Sequence, residues 1–406
     1  MKIKQSKKLL KRAKKVIPSG ALNISKDYRR FVRGVSPAFV DSVNGCYIWD
    51  ADGNKFIDVT ASMGTIILGY SYLDNPFYDY NPIFPLSNFS EVELAEKLVD
   101  IIPCAEMVKF FKTGADACSA GTSLARKING RVVDKGLTVS TGYHGWHNSV
   151  NNLRKFIIEY GDLKGLEKVF SEYDVACYIL EPMDRSCPEK FSWGILADIR
   201  KLCDKYNVIL IFDEILSGFR FGLSGIQGGS KLIEPDLACY GKAMSNGYPI
   251  SALVGKKELM KEIKNLHISG TYFGELLSID MALKTIEYME ENKVLDYTSK
   301  MGDNLYKRVF TFISRYDLTD YVGIKKFDSW LSFNFKDINM EQFFLEYLVN
   351  NGLLYCRDNF IMYSHTKEIL SRIEEIYDGA FYYLSKWIKD GMPKNKLKGK
   401  YTRDLF

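Results

Sequence analysis

The sequence predicts an α/β fold in which a mainly parallel central sheet is covered by helices on both faces. Short apolar segments alternate with helical stretches through the middle of the chain, and these segments are apolar at nearly every position. Strands of that kind are buried on both faces, as in parallel sheets. The length of 406 residues allows a large domain with a smaller companion.

The predicted strands of the central sheet begin at residue 107. They are MVKFF (107–111), LTVS (137–140), VACYILEP (175–182), VILIFDE (208–214), LACYGK (237–242) and ISALVG (250–255). A helix over 91–102 precedes them. Residues 36–59 predict antiparallel strands, because Asn44-Gly45 and Asp52-Gly53 are hairpin dipeptides.

The C-terminal segment predicts a helix over 341–352 and strands near 331–335 and 360–365. We therefore expect residues 61–300 to form the large domain. Residues 1–60 and 301–406 are expected to meet in a smaller α+β domain.

Composition argues against several functional classes. The net charge is only +5, and basic residues are mixed with acidic ones beyond the N-terminus, so we expect no nucleic-acid partner. No apolar run approaches the roughly 20 residues that cross a bilayer, and the N-terminus lacks a signal-peptide core, so we expect a cytoplasmic protein. The eight cysteines form no CxxC pair, which predicts neither a disulfide framework nor a metal site.

The first seventeen residues predict an amphipathic helix. Apolar residues fall at helical spacing with lysines opposite them. We expect this helix to pack on its own protein or on a partner subunit, the alternative being a helix that lies on a membrane surface.

The most informative pair of residues is Asp213, at the end of an apolar strand, and Lys242, which follows the next one. Pyridoxal phosphate (PLP) needs a carboxylate that keeps its pyridine nitrogen protonated, and an amine that holds its aldehyde as a Schiff base. Asp213 and Lys242 are the candidates for these two roles.

Two further turns follow predicted strands. Thr113-Gly114-Ala115 precedes a helix, so its amides could hold a phosphate, although such turns also occur without a ligand. The loop that contains Tyr143 and His144 falls beyond a strand end, where ligands bind in open α/β sheets. Its aromatic side chains could stack on a planar cofactor or simply cover the edge of the sheet.

Carboxylates also end two of the strands. Glu181 closes one, and Glu214 follows Asp213 at the end of another. A buried carboxylate requires a partner. We expect Glu214 to form a structural ion pair with Arg220.

Taken together, these motifs resemble the class III (fold type I) PLP-dependent aminotransferases, and among them the branch similar to glutamate-1-semialdehyde 2,1-aminomutase. The resemblance runs nearly from end to end. It is carried by GCYIWDADGNKFIDV, EVELAEKLVDIIPCAEMVKFFKTGADA, GYHGW, ILEPM, LIFDEILSGFR, PDLACYGKAMSNGYPISALVGKKE and SGTYFGELLSIDMAL.

The resemblance implies catalytic roles for Lys242, Asp213 and Tyr143. Lys242 would form the Schiff base with PLP and then move a proton, and Asp213 would bind the pyridine nitrogen. Tyr143 would stack on one face of the ring with His144 beside it, and Ile215 would lie against the other face.

The resemblance also implies a phosphate site and a homodimer. The amides of Gly114 and Ala115 would hold the phosphate, and Asp116 takes the position of a family acid whose role is less defined. Thr271 matches a threonine that reaches the phosphate of the neighbouring subunit's cofactor, which implies active sites at the subunit interface.

Three departures from the family bear on the substrate. The aminomutase has Asn-Pro after its phosphate threonine, in a loop that gates release of an intermediate, whereas this chain has Gly274-Glu275, a form similar to enzymes of surface-glycan and nucleotide-sugar pathways. The aminomutase residues that bind the substrate carboxylate have no clear counterpart in this chain, although Arg29, Arg30 or Arg33 could substitute for them. The aromatic-rich segment 69–90 is short, which would widen the site.

The expected function is amino-group transfer from a donor, expected to be glutamate, to a carbonyl acceptor such as a sugar or another small metabolite of surface-glycan biosynthesis. Glu181 is a candidate substrate contact, with a structural role as the alternative. The alternatives for the whole protein are an intramolecular aminomutase and a non-catalytic binding protein of the same fold.

Overall fold

The computed structural model describes residues 1–74, 82–129, 137–147, 155–230 and 233–403. Part of the aromatic-rich segment, residues 75–81, lies outside the described residues. The chain forms two compact units: a small unit of Met1–Tyr72 with Asp296–Phe406, and a large unit of Leu73–Leu295.

The described helices, in chain order, are α1 (Lys4–Ala13), α2 (Ala61–Gly64), α3 (Phe89–Ile101), α4 (Gly114–Ile128), α5 (Leu163–Glu172), α6 (Trp193–Tyr206), α7 (Lys257–Met260), α8 (Leu276–Glu291), α9 (Val294–Arg315), α10 (Ile338–Asn350) and α11 (Lys367–Lys389). None of the described helices is both long and apolar enough to span a membrane.

The described strands are β1 (Val40–Asn44), β2 (Tyr47–Asp50), β3 (Lys55–Asp58), β4 (Met107–Phe111), β5 (Leu137–Thr141), β6 (Lys155–Ile157), β7 (Val175–Leu180), β8 (Ile209–Asp213), β9 (Leu237–Tyr240), β10 (Ser251–Gly255), β11 (Val322–Phe327), β12 (Trp330–Phe335), β13 (Leu353–Leu354) and β14 (Asp358–Phe360).

The large unit is built on a seven-stranded sheet in the order β4-β10-β9-β8-β7-β5-β6. Strand β10 is antiparallel to both of its neighbours, and the remaining described pairs are parallel. Every residue of β7, β8, β9 and β10 is buried. Helix α4 packs on this sheet through residues such as Ala117, Leu124 and Ala125. The predicted α/β class with a mainly parallel, doubly covered sheet is confirmed.

The small unit contains two sheets, β1-β2-β3-β13 and β11-β12-β14. The hairpins predicted at Asn44-Gly45 and Asp52-Gly53 join β1 to β2 and β2 to β3. Strand β13, from the C-terminal segment, pairs with β3 in parallel, so the two ends of the chain share a sheet. Residues 61–72 belong with this unit rather than with the large domain, because the backbone amides of Tyr363 and Ser364 donate to the carbonyls of Ile67 and Leu68.

The predicted N-terminal helix is present and lies against its own unit. The Asp52 carboxylate accepts hydrogen bonds from the amides of Gln5 and Ser6 at 2.7 and 2.8 Å. These amides lie in the first turn of α1, where they lack intrahelical acceptors and where a negative charge is favourable. The hairpin turn that carries Asp52 therefore caps the helix.

Candidate active site

The candidate residues gather at one edge of the large sheet. Because β4, β5, β7, β8 and β9 run in the same direction, their carboxyl ends lie at the same edge. A residue singled out from the sequence lies at or just beyond each end: Gly114 after β4, Tyr143 after β5, Glu181 after β7, Asp213 on β8 and Lys242 after β9. Ligands of open α/β sheets bind at this edge.

Asp213 is held by hydrogen bonds on both carboxylate oxygens. Nδ1 of His144 lies 2.7 Å from its Oδ2, and the Ile215 amide donates to its Oδ1 at 3.0 Å. The Cys118 thiol lies 3.4 Å from Oδ2. Only 5% of Asp213 and 3% of His144 are exposed. A buried carboxylate with these donors is fixed in orientation and is suited to binding a cationic ring nitrogen.

Lys242 lies two residues beyond β9, the strand next to β8. The register pairs Asp213 with Cys239, so the carboxylate and the lysine follow adjacent strand ends. Lys242 is partly buried and has a φ of 43°. The left-handed region costs a residue with a side chain about 1–3 kcal/mol, and such strain concentrates at functional sites. The surrounding structure therefore holds the lysine in an unfavourable backbone conformation.

The turn after β4 forms an N-terminal capping box. The Thr113 hydroxyl accepts from the Asp116 amide at 3.2 Å, and the Asp116 carboxylate accepts from the Thr113 amide at 2.9 Å. The amides of Gly114 and Ala115 lie in the first turn of α4, where intrahelical acceptors are absent. They are therefore suited to holding an anion. The Asp116 position, undefined from the sequence, caps the helix.

The loop after β5 sends its two candidate residues in different directions. Tyr143 is 69% exposed, whereas His144 is turned inward against Asp213. A Cβ on Gly145 would lie 2.5 Å from the Cβ of Ala115, so this glycine permits the loop to approach the α4 turn. The loop that carries Tyr143 therefore lies against the first turn of α4 at Gly145.

Glu181 belongs to the same group of charges. Its Oε1 lies 3.5 Å from the Tyr143 amide, and burial raises its pKa above the ordinary value despite the nearby Arg185. The charges of Asp213, His144 and Lys242 also act on it. The structure therefore brings Glu181 into one electrostatic environment with the acid and the lysine.

The structure provides several hydrogen-bond partners for the buried Glu214 carboxylate, and the ion pair expected with Arg220 stays a prediction. The Glu214 carboxylate accepts hydrogen bonds from the Ser217 hydroxyl and from the amides of Ile226 and Gln227. Burial outweighs these bonds and raises the pKa of Glu214 to about 7. The loop after β8 therefore wraps around the Glu214 side chain and provides these polar partners.

The remaining candidates lie on other segments. Thr271 is exposed in the turn before α8. Arg29, in the small unit, donates from Nη2 and Nε to the buried Asp27 carboxylate at 2.6 and 2.9 Å, so its guanidinium is engaged in a structural ion pair. Arg30 is partly buried, and its carbonyl accepts from the Cys356 thiol at 3.7 Å.

Comparison with known proteins identifies the family. The model of the class III aminotransferases matches residues 31–155 and 150–363. The 3-aminobutyryl-CoA aminotransferase of Cloacimonas acidaminovorans is 34% identical over 326 residues, which cover 74% of this chain and 77% of that protein. The chain belongs to the class III aminotransferases. Another relative, the glutamate-1-semialdehyde 2,1-aminomutase of Methanothrix thermoacetophila, is 29% identical over 76% of this chain and 77% of its own length.

Solved structures show the same fold. An omega-transaminase from Sphaerobacter thermophilus superposes with a TM-score of 0.81 at 18% identity, covering 94% of this chain and 98% of that one. A transaminase with PLP bound gives a TM-score of 0.83 at 19% identity, covering 95% and 99%. This class III aminotransferase therefore has the fold type I architecture that its sequence motifs predict.

The class III aminotransferases depend on PLP, and PLP is the cofactor of this enzyme. The local geometry fits it. The buried Asp213 carboxylate is suited to the ring nitrogen, and the α4 turn is suited to the phosphate. A Cβ on Gly114 would lie 3.0 Å from the Ile215 side chain, and a Cβ on Gly241 3.2 Å from it. Glycines thus leave room around Ile215, the residue expected against one face of the ring.

The sequence interpretation missed two neighbours of the site, Cys118 and Arg185. Cys118 lies one helical turn after Gly114 on the buried face of α4, a position that reads as ordinary core. Arg185 follows Glu181 in a loop without a recognisable motif. Only the folded structure brings the thiol to Asp213 and the guanidinium near Glu181.

Proposed function

We propose that this class III aminotransferase transfers an amino group from glutamate to a carbonyl on a small or sugar-like acceptor. One observation carries the assignment to amino-group chemistry. The His144-supported Asp213 and the backbone-strained Lys242 follow adjacent strand ends, beside an anion-binding helix start.

Each residue has a role in this proposal. When bound, PLP supplies an aldehyde that takes up the amino group and a ring that accepts electrons from the substrate carbon. Lys242 holds that aldehyde and carries the proton between the substrate carbon and the cofactor carbon. Asp213 holds the proton on the pyridine nitrogen, and His144 fixes the orientation of Asp213.

The other contacts position the cofactor and the substrate. The amides of Gly114 and Ala115 hold the phosphate, and Tyr143 and Ile215 cover the two faces of the ring. Glu181 is the proposed substrate contact of the large unit, and Arg30 stays a candidate from the sequence. Arg29, whose guanidinium is bound to Asp27, is the weaker candidate for a substrate carboxylate.

We propose a homodimer in which Thr271 reaches the partner subunit's PLP phosphate. The exposed apolar surface of the large unit supports this. Helix α3 exposes Phe89, Val92 and Val99 within one face, and Leu86 precedes it. Contiguous exposed apolar side chains mark interaction surfaces, and a second copy of the chain would cover them.

Transamination is favoured over the aminomutase reaction for two reasons. The turn after Thr271 carries Gly274-Glu275 where the aminomutase has Asn-Pro, and the relative at 34% identity is named an aminotransferase. The Gly-Glu form is also the reason for proposing a glycan-type acceptor. The aminomutase remains the second candidate, because relatives at about the same coverage carry that name.

Incubation with glutamate distinguishes a transaminase from a strict aminomutase. The PLP-loaded enzyme is incubated with glutamate alone, and the cofactor absorption and the released 2-oxoglutarate are measured. A transaminase converts its cofactor to the aminated form and releases one 2-oxoglutarate per site. A strict aminomutase releases none. If no amino donor changes the absorption, the protein is a binding protein. Lys201→Ala, at an exposed surface lysine, serves as the control and should behave as the parent.

A further inference from the structure

An ion pair joins the turn at the start of α4, whose Gly114 and Ala115 amides are suited to a phosphate, to the loop that carries Thr271. Nζ of Lys112 lies 2.9 Å from Oε2 of Glu275, and each side chain is 17% exposed. Lys112 lies between the end of β4 and Thr113, next to the α4 turn. Glu275 is the N-cap residue of α8, four residues after Thr271. The pair therefore connects two elements that are 163 residues apart in sequence.

The Glu275 carboxylate is also held in place by groups of its own helix, independently of Lys112. Its Oε1 accepts from the Leu277 amide at 3.0 Å, and its Oε2 accepts from the Ser278 amide and hydroxyl at 3.3 and 2.5 Å. Burial opposes ionisation, but the bonds from Ser278 and Lys112 outweigh it and lower the pKa of Glu275. The carboxylate thus stays charged and fixed in orientation at neutral pH.

The loop itself is fastened at its base and exposed at its tip. The Phe273 ring packs edge-on against Phe111, the last residue of β4, with ring centroids 5.1 Å apart. The Leu276 amide donates to the Pro82 carbonyl at 2.9 Å. Thr271 and Tyr272 remain exposed, with Tyr272 64% accessible. The loop therefore presents these two residues outward from an anchored base.

We propose that Lys112 and Glu275 are positioning residues that fix the Thr271 loop relative to the phosphate-binding turn of the same subunit. This rests on the proposed role of Thr271 at the partner subunit's PLP. The α4 turn serves one active site and the loop serves the other, so the ion pair mechanically joins phosphate binding at the two sites of the dimer.

The test is the affinity of the apoenzyme for PLP, measured by titration of the cofactor absorption. Lys112→Met should weaken PLP binding by about tenfold, the effect of losing a charge-assisted hydrogen bond. Glu275→Gln keeps an acceptor oxygen for the helix cap and should weaken binding similarly. Lys112→Arg retains the charge and should restore most of the affinity. Lys97→Met is the matched control, since Lys97 pairs with Glu290 at the opposite end of α8.

A double-mutant cycle distinguishes positioning from general stabilisation. Thr271→Val should weaken PLP binding, and Lys112→Met should then add little, because the loop no longer carries its phosphate contact. Additive losses, or a Lys112→Met enzyme with parental affinity, would overturn the inference while leaving the proposed function intact. Unchanged affinity in Thr271→Val would overturn the inference together with the proposed role of Thr271. Circular dichroism and the dimer fraction of each apoenzyme show whether a variant has lost its fold or its assembly.

Discussion

His144 and Asp213 form a buried pair in which Nδ1 of the imidazole lies 2.7 Å from Oδ2 of the carboxylate. His144 lies in the loop after β5 and Asp213 is the last residue of β8, with β7 between these two strands. The imidazole occupies the side of the carboxylate away from Ile215, whose amide binds Oδ1. The protein therefore fixes the orientation of the Asp213 carboxylate, and with it the direction of the lone pairs that can accept from the cofactor.

Replacing His144 should impair the enzyme by disordering Asp213. In His144→Ala the buried carboxylate loses a strong donor, so we expect kcat to fall by about 10- to 100-fold, equivalent to roughly 1.5–3 kcal/mol. The cofactor absorption and steady-state rates measure this. His147→Ala is the control, because His147 lies in the same loop but contacts Trp146 edge-on and the partly exposed Asp116 at a distance of 3.7 Å. A His144→Ala enzyme with the parental kcat would contradict the positioning role.

Replacing Lys242 should separate cofactor binding from chemistry. Lys242→Ala should bind PLP without a Schiff base to the protein and should carry out no half-reaction with glutamate. Full activity in this variant would mean that another lysine is the reactive one.

The backbone strain at Lys242 predicts a difference in stability between two variants at this position. Because its φ is 43°, glycine should suit the backbone better than alanine. We expect apo Lys242→Gly to be more stable than apo Lys242→Ala by about 1 kcal/mol. Chemical denaturation of the two apoproteins measures the difference, and a more stable alanine variant would show that the backbone relaxes at this position.

The hydrogen bond from Cys118 to Asp213 should have a modest effect on kcat. The pKa of Cys118 is raised well above the ordinary value by a hydrogen bond with Cys239, by burial and by the Asp213 charge, so the thiol stays protonated and can donate. Cys118→Ala removes the donor and should lower kcat by about two- to fivefold, whereas Cys118→Ser retains a donor and should stay within about twofold. If both variants lose activity equally, packing rather than hydrogen bonding explains the effect.

Glu214 should make the stability pH-dependent. Its pKa of about 7 in the folded protein lies above the ordinary value of 4.5, so the folded state favours the protonated form. Its contribution to stability is therefore complete below about pH 4.5 and is lost as the pH rises through about 7, a change of roughly 3 kcal/mol. Glu214→Gln removes this titration. The difference in free energy of unfolding, parent minus variant, should fall between pH 5 and 8, and a pH-independent difference would mean that Glu214 is ionised throughout.

The sequence by itself determined the sheet and the edge at which the site lies. Apolar runs such as ILIFD and LACY are short, buried on both faces and separated by helices, so local pattern is sufficient to identify them as parallel strands. Asp213 and Lys242 could be identified from the sequence because each lies at or just beyond the end of an apolar strand. Parallel strands end at the same edge of a sheet, so both residues were expected at one edge. The type of reaction followed from that pair and from the motifs around it.

Only the tertiary structure decided which side chains contact each other across that edge. Nothing local indicates that His144 turns toward Asp213 while Tyr143 points outward, or that Glu214 accepts hydrogen bonds from the backbone amides of Ile226 and Gln227. The Lys112–Glu275 pair likewise joins segments whose separation in sequence gives no signal of contact. Periodicity specifies which face of a strand or helix is buried. The direction of a loop side chain depends on the groups packed around it, and those groups come from distant parts of the chain.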